Sequence, residues 1–211
     1  MAPKAPADTV RRTRGSTRTK MLISAAEVLR ERGAAGVTID EVLARSGAPR
    51  GSVYHHFPEG RSQILREALD YAGDAITASI DEAAGKNSTV LLRRFVQLWE
   101  DALTASDYSA GCPVLAAAVG SGEDEQQLTA VAGDIFSRWR EASKQAYIRE
   151  GFDDAEAASL ADTTISAMEG AVVLCRSVRS LEPLHEVAGQ LDFLIKAKEF
   201  VTKFGMPNLN A

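Results

Sequence analysis

Apolar side chains recur along this chain at intervals of three and four residues, the spacing that puts them on one face of an α-helix. The first such stretch opens near Thr17 and ends at Gly33 and Gly36. Its apolar positions are Met21, Leu22, Ala25, Ala26 and Leu29. No segment shows the two-residue alternation that a half-buried strand requires. The pattern therefore predicts an all-α fold.

One long helix and five further helices are predicted beyond residue 60. The long helix runs from Arg61 to about Ala84, and the residues from Gly85 to Ser88 break it. The five others cover residues 89–104, 113–120, 124–150, 153–180 and 184–203. The breaks between them are short, as is usual between packed helices.

The segment from residue 38 to residue 57, TIDEVLARSGAPRGSVYHHF, predicts two short helices joined by a turn. A capping box at Thr38 opens the first helix, and Gly47 ends it. Val53 and Phe57 give the second helix one apolar side, which faces inward. The segment is therefore predicted to be a helix-turn-helix.

The second of these short helices is polar for its size, so much of it must face outward. Its outward positions are Arg50, Gly51, Ser52, Tyr54 and His55. Arginine pairs bidentately with guanine, and the hydroxyl and imidazole groups suit phosphates and base edges. At Gly51 the backbone has no side chain to keep it away from a duplex. These residues favour a surface that reads DNA.

Charge is distributed unevenly between the two ends of the chain. The whole sequence of 211 residues has a formal net charge of −5. Residues 1–57 contain ten basic and five acidic residues, a net charge of +5, which leaves −10 for the remainder. A basic end on an acidic body suits a protein that meets phosphate, although a solvated basic tail fits the charge equally well. Residues 1–16 have few large apolar side chains and are expected to be a disordered basic arm.

The helix-turn-helix segment resembles that of the TetR family, whose recognition element typically ends in Tyr-x-x-Phe before a basic residue that opens the next helix. The matching residues are Tyr54, Phe57 and Arg61, and the resemblance covers about residues 17–69. It implies phosphate contacts for Thr38 and Arg61, base contacts for Arg50, Gly51 and Ser52, and DNA-backbone contacts for Tyr54 and His55. The family more often has lysine at the position of Arg61.

The resemblance also implies an organisation and a function. A DNA-binding domain at residues 17–60 would precede a helical effector-binding and dimerisation domain at residues 61–211. The protein would be a homodimeric repressor that binds palindromic, double-stranded operator DNA and leaves it when a small apolar or aromatic molecule binds. The run Gly111-Cys112-Pro113-Val114 is similar to LmrA/YxaF-type C-terminal domains.

Six aromatic or sulfur-containing side chains are candidates for the lining of an effector pocket. They are Phe95, Trp99, Cys112, Phe136, Trp139 and Met168. Their spacing alone favours core positions, whereas the family resemblance implies a pocket somewhere among them.

The helix predicted at residues 153–180 is apolar nearly all round, so it must be covered on two sides. Together with the next helix it is expected to form a four-helix interface with a second copy of the chain. The expected interface residues are Ala161, Ile165, Ala171, Leu184, Val187, Leu191 and Leu194. A monomer with one fully buried central helix is the alternative.

Other kinds of site find little support in the sequence. His55 and His56 project about 100° apart on a helix with no third ligand close by, so no metal site is expected. Cys112 and Cys175 are expected to be buried, reduced thiols, with a redox sensor as the alternative. No cofactor is expected.

Three further expectations concern function class and location. The sequence contains no common catalytic motif, so it is not expected to be an enzyme, although a cavity enzyme and an effector-free architectural DNA-binding protein are the competing interpretations. No secretory signal and no run of about 18 apolar residues occurs, so we expect no membrane association and a cytoplasmic location.

Overall fold

The computed structural model describes residues 7–120 and 125–205, with side chains from residue 17 onward except that of Glu125. The described residues form nine α-helices and no strand, which confirms the all-α prediction. The helices are α1 (Ala7–Gly36), α2 (Ile39–Ser46), α3 (Val53–His56), α4 (Arg61–Ala84), α5 (Ser88–Ala105), α6 (Pro113–Ala118), α7 (Glu125–Arg149), α8 (Asp154–Val178) and α9 (Glu182–Phe204). A 3-10 turn at Arg50–Ser52 leads directly into α3.

Helix α1 begins earlier than the sequence pattern predicted. Its backbone is helical from Ala7 rather than from about residue 17, so the predicted disordered arm is wrong for residues 7–16, while residues 1–6 lie outside the described part of the chain. Adding turns to a helix that buried side chains already hold requires no new nucleation, and the added segment contains the good helix former arginine. Near the other end, Gly33 leaves the helical conformation with φ 70°.

Helices α1 to α3 and the start of α4 form the N-terminal part of a hydrophobic core that continues into the rest of the chain. Val42, Val53 and Phe57 are completely buried, as are Met21 and Leu29 on the inner face of α1. The apolar spacing that predicted these helices is therefore the spacing that packs them together.

The remaining helices form the body, in which α4 packs on α7, and α8 lies between α7 and α9. Trp99, Trp139 and Tyr147 are among the largest fully buried side chains. The indole N–H of Trp139 donates to Thr77 Oγ1 at 2.8 Å, and the hydroxyl of Thr77 donates to the Gly73 carbonyl at 2.7 Å. These bonds satisfy polar groups at the contact between α4 and α7.

Helix α8 is long enough and apolar enough to cross a membrane by composition, with a mean hydropathy of 1.2 over its most apolar 18 residues. Half of that window is buried against the rest of the chain. The same composition is expected of a helix covered on more than one side within a helical body, so it gives only weak evidence for a membrane span.

Candidate nucleic-acid interface and body cavity

The two ends of α2 are fixed by its own sequence. Thr38 Oγ1 accepts the Glu41 backbone N–H at 3.1 Å and so caps the start of the helix. Gly47 has φ 65° and ψ 19°, a left-handed conformation that glycine adopts without steric cost, and its N–H donates to the Leu43 carbonyl at 3.0 Å. The chain thereby turns sharply towards the second helix.

The second short helix is anchored by two side chains. Val53 and Phe57 are completely buried, and the Phe57 N–H donates to the Val53 carbonyl at 2.7 Å. Ahead of them, the Ser52 hydroxyl donates to the Pro49 carbonyl at 2.6 Å and stabilises the 3-10 turn. The anchors hold residues 50–56, hereafter the reading segment, against the N-terminal part of the core.

The reading segment presents several of the predicted DNA-contacting residues to solvent. The Arg50 side chain is 82% exposed, Tyr54 is 65% exposed, and His55 is exposed beside them. A methyl group added at Gly51 would meet no atom within 4 Å, so the backbone there is open to a large neighbour. Ser52 is half-buried and Thr38 is exposed, and both hydroxyl groups already hold local backbone groups.

The Nη2 atom of Arg50 lies 3.1 Å from Oδ1 of Asp40, and both side chains are largely exposed. Ion pairs of this kind contribute little to stability, so phosphate or guanine competes for the arginine at low cost. In contrast, Arg45 braces α2 against α1, with bonds of 2.7 Å to Glu31 and 2.8 Å to Glu41. Its hydrogen bond holds the pKa of the Glu31 carboxyl below the usual value.

Arg61 points towards the protein rather than towards a DNA duplex. Its Nε donates to the Val37 carbonyl at 2.7 Å, and its Nη2 donates to the Ala34 carbonyl at 2.7 Å. The end of α1 leaves carbonyl groups without helical partners, and Arg61 satisfies two carbonyls there. This geometry gives Arg61 a structural role at the end of α1, and the phosphate contact that the resemblance implied stays a prediction.

Two groups of the body also bind the end of α1. The Gly111 N–H donates to the Arg30 carbonyl at 2.9 Å, and Arg176 Nη2 donates to the Glu31 carbonyl at 3.2 Å. A Cβ at residue 111 would lie 3.0 Å from the Arg176 guanidinium, so only glycine fits there without displacing it. We call this set of contacts the α1 junction, because it joins the DNA-binding domain to α6 and α8.

The body contains an open cavity of about 750 Å³ beside α8, which we call the α8 cavity. Its walls are mostly apolar and include Leu115, Phe136, Ile165, Leu174 and Val187. At the rim, Arg140 Nη2 donates to Asp162 Oδ2 at 2.8 Å. The volume and the apolar lining suit a small organic molecule.

Only Phe136 of the six predicted pocket residues lines the α8 cavity. Phe95, Cys112, Trp139 and Met168 are buried in the core, as their spacing alone had favoured. Trp99 is also buried, and it borders a second cavity of about 490 Å³ near α1 and α4. Helical spacing marks a side chain as buried but does not say whether its neighbour is protein or a void.

Glu169 is a lining residue of the α8 cavity that the sequence interpretation missed. It is 5% exposed, and burial raises the pKa of its carboxyl to about 8, whereas the nearby Cys112 thiol lowers it. Glu169 is the only charged residue between Asp162 and Arg176. This single charged residue in the middle of a helix predicted to be covered on two sides was the sequence feature that could have identified it as a site residue.

Most of the residues predicted at the dimer interface are already covered by their own subunit. Val187 and Leu194 are half-buried in the single subunit. The other five are buried there, namely Ala161, Ile165, Ala171, Leu184 and Leu191. The exposed apolar side chains are Val173, Leu174 and Val178 on α8 and Phe193, Phe200 and Phe204 on α9. A helix that is apolar nearly all round does not reveal which of its faces the subunit itself covers.

The structure also locates the candidates for metal binding and redox chemistry. Over residues 7–120 and 125–205, no cluster of three or more histidine, cysteine or acidic side chains could hold a metal ion. Cys112 and Cys175 are free thiols and both are buried. Burial raises the pKa of each thiol, which disfavours the reactive thiolate.

Two families match separate parts of the chain. Residues 22–68 match the family described as bacterial regulatory proteins, tetR family, and residues 90–190 match the LmrA/YxaF-like C-terminal domain of transcriptional regulators. An HTH-type transcriptional regulator of Mycobacterium tuberculosis is 41% identical over 186 residues, covering 86% of this chain and 95% of that protein. The regulator LmrA of Bacillus subtilis is 24% identical and covers 86% of this chain and 98% of that protein.

Solved structures show the same fold. A TetR transcriptional regulator from Chloroflexus aurantiacus superposes with a TM-score of 0.72 at 24% identity, covering 88% of this chain and 96% of that one. A TetR-family regulator from Cytophaga hutchinsonii gives a TM-score of 0.73 at 20% identity, covering 92% and 98% of the two chains.

The contacts of Arg61 make a prediction about stability. Arg61→Ala is expected to lower the free energy of unfolding by about 2 kcal/mol, because two carbonyls at the end of α1 lose a charged donor. Arg50→Ala, the matched control, should change it by less than about 0.5 kcal/mol, because its ion pair is exposed. Urea denaturation at a fixed protein concentration measures both. An Arg61→Ala chain as stable as the wild type would mean that the side chain is free to contact DNA.

Proposed function

Because the chain belongs to the TetR family of bacterial transcriptional regulators, which are not enzymes, we propose that it is a ligand-released repressor. In this proposal a homodimer binds palindromic operator DNA through its two reading segments and acts in the cytoplasm. The observation that carries the proposal is the reading segment itself, which exposes Arg50, Tyr54 and His55 on a short helix anchored by Val53 and Phe57. The DNA-binding domain spans residues 17–60, and residues 61–211 form the body.

The exposed groups of the reading segment have distinct tasks in DNA binding. The planar guanidinium of Arg50 pairs with a guanine edge in the major groove, and Gly51 allows the backbone to come close. Tyr54 and His55 donate to phosphates, which fixes the position of the helix without reading sequence. Thr38 and Ser52 support this surface by holding the helix ends, and Arg61 supports it from behind.

The homodimer forms through the exposed apolar faces of α8 and α9. Phe193, Phe200 and Phe204 recur at intervals of seven and four residues, so they lie on one face of α9. Helix α8 contributes Val178, and the exposed Val173 and Leu174 beside it line the α8 cavity and are left out of the contact. Burying these side chains against a second copy removes apolar surface from water and forms a four-helix interface. The dimer then supplies two reading segments, one for each half-site of the operator.

Ligand release works through the α1 junction. Leu115 lines the α8 cavity and lies on α6, four residues after Gly111, which donates to the Arg30 carbonyl. Glu169 lines the same cavity and lies seven residues before Arg176, which holds the Glu31 carbonyl. A ligand that displaces α6 or α8 therefore changes how α1 is held. The arrangement of reading segments that fits the operator becomes less populated.

The proposed dimer face can be tested with a charged substitution. Phe193→Glu is expected to give a folded monomer, because a charge on an exposed residue disturbs only the contact between subunits. Tyr71→Glu, at an exposed aromatic residue on α4, is the matched control and should remain dimeric. Sedimentation velocity gives the mass and circular dichroism gives the helix content. A Phe193→Glu dimer as tight as the wild type would place the interface elsewhere.

The proposed function is tested most simply by selecting DNA from a random library with the full chain. We expect enrichment of an inverted repeat whose half-site centres lie about one helical turn, or a multiple of it, apart. Arg50→Ala should weaken binding to the enriched site by about 1–3 kcal/mol and relax the preference at one base pair in each half-site. Enrichment of no sequence, or of a single asymmetric site, would contradict the proposal.

A further inference from the structure

The carboxyl group of Glu169 has an unusual environment for a charged side chain. Both carboxyl oxygens are buried, and among residues 7–120 and 125–205 neither has a hydrogen-bond partner at bonding distance and angle. The Cys112 thiol, a weak donor, interacts with the carboxyl and lowers its pKa without satisfying it. Buried carboxyl groups are normally hydrogen-bonded or paired, because an unpaired buried polar group costs free energy. An orphaned carboxyl in the wall of a cavity therefore calls for a partner from outside the chain.

Charged groups of the helices packed around α8 are already paired, which leaves the Glu169 carboxyl available to a cation. Arg140, on α7, is occupied by Asp162 at the rim, and Arg176 donates to backbone carbonyls at the α1 junction. On α5 and α9, Glu100 and His185 contact each other at 2.6 Å. Of the described titratable groups, only the Cys112 thiol at the start of α6 alters the pKa of Glu169.

We propose that Glu169 selects the effector, and that the α8 cavity takes an apolar molecule carrying a protonated amine. The apolar part lies against Leu115, Phe136 and Val187, and the ammonium group donates hydrogen bonds to the carboxylate, which turns from the wall towards the bound molecule. Charge-assisted hydrogen bonds of this kind are about twice as strong as neutral ones. This proposal rests on the proposed ligand-responsive function and gives its effector a chemical class.

The pairing couples ligand binding to protonation. Burial raises the pKa of Glu169 to about 8, so below that pH the carboxyl is mainly protonated and must lose its proton before it pairs with an ammonium ion. Amine affinity should therefore rise with pH, by up to about tenfold per unit between pH 6 and 8, and level off above. The affinity of a neutral molecule of the same shape should not follow this profile.

The test uses three probes with one apolar body and different head groups, namely 4-phenylbutylamine, 4-phenylbutan-1-ol and 4-phenylbutyrate. Calorimetric titration of the full chain at pH 8, without DNA, should give the order amine, alcohol, carboxylate, with the amine at least about tenfold tighter than the alcohol. Glu169→Gln should reduce amine affinity to that of the alcohol and abolish its pH dependence. Asp134→Asn, which removes an exposed carboxylate of α7 that does not line the cavity, is the matched control and should keep the amine preference.

The outcomes separate this inference from the proposed function. Amine binding that is undetectable, no tighter than that of the alcohol, or unchanged in Glu169→Gln overturns the inference. If Glu169→Gln fails to fold, the pH profile of the wild type decides, because an amine affinity that is flat between pH 6 and 8 overturns it as well. If the amine binds as expected but leaves operator affinity unchanged, the selectivity of Glu169 stands and the proposed ligand release fails.

Discussion

The carbonyl groups at the end of α1 impose the constraint on which the arrangement of the molecule depends. A helix end leaves its last carbonyls without helical donors, and they must find partners elsewhere. Here the donors come from outside the helix: Gly111 and Arg176 bind the Arg30 and Glu31 carbonyls, and Arg61 binds those of Ala34 and Val37. These three donors, which lie before α6, in α8 and at the start of α4, help to hold the end of α1, which also packs on α4 and α6.

Two of these three connections lead to the α8 cavity, because α8 lines the cavity and Leu115 of α6 lines it four residues after Gly111. The Cys112 thiol interacts with the Glu169 carboxyl and lowers its pKa, and Cys112 directly follows Gly111 in the chain. Arg176 shares α8 with Glu169 and also donates to the Ser109 carbonyl at 2.8 Å. A small displacement of either segment alters donors of the α1 junction, without any need for a longer path through the core.

The sequence predicted the helices well because both the spacing of buried side chains and the helix caps depend on residues close together in the chain. The capping box at Thr38, the turn at Gly47 and the anchors Val53 and Phe57 all occupy the places that their residue types indicated. The orientation of Arg61 was not predictable, because its partners are carbonyls 24 and 27 residues earlier in the chain. For the same reason the periodicity of α8 could not separate its inner face, with Ala161 and Ala171, from its exposed face.

The most direct test of this account is the operator affinity of Arg176→Leu without any small molecule present. The account predicts a loss of about 5- to 150-fold relative to the wild type, because α1 is no longer held in the arrangement that fits DNA. Arg179→Leu is the matched control, because Arg179 pairs with Asp107 at 2.6 Å on the surface and donates no hydrogen bond to the described side chains and carbonyls of α1. Equal operator affinity for Arg176→Leu and the wild type, with both chains folded and dimeric, would contradict the central role of the α1 junction.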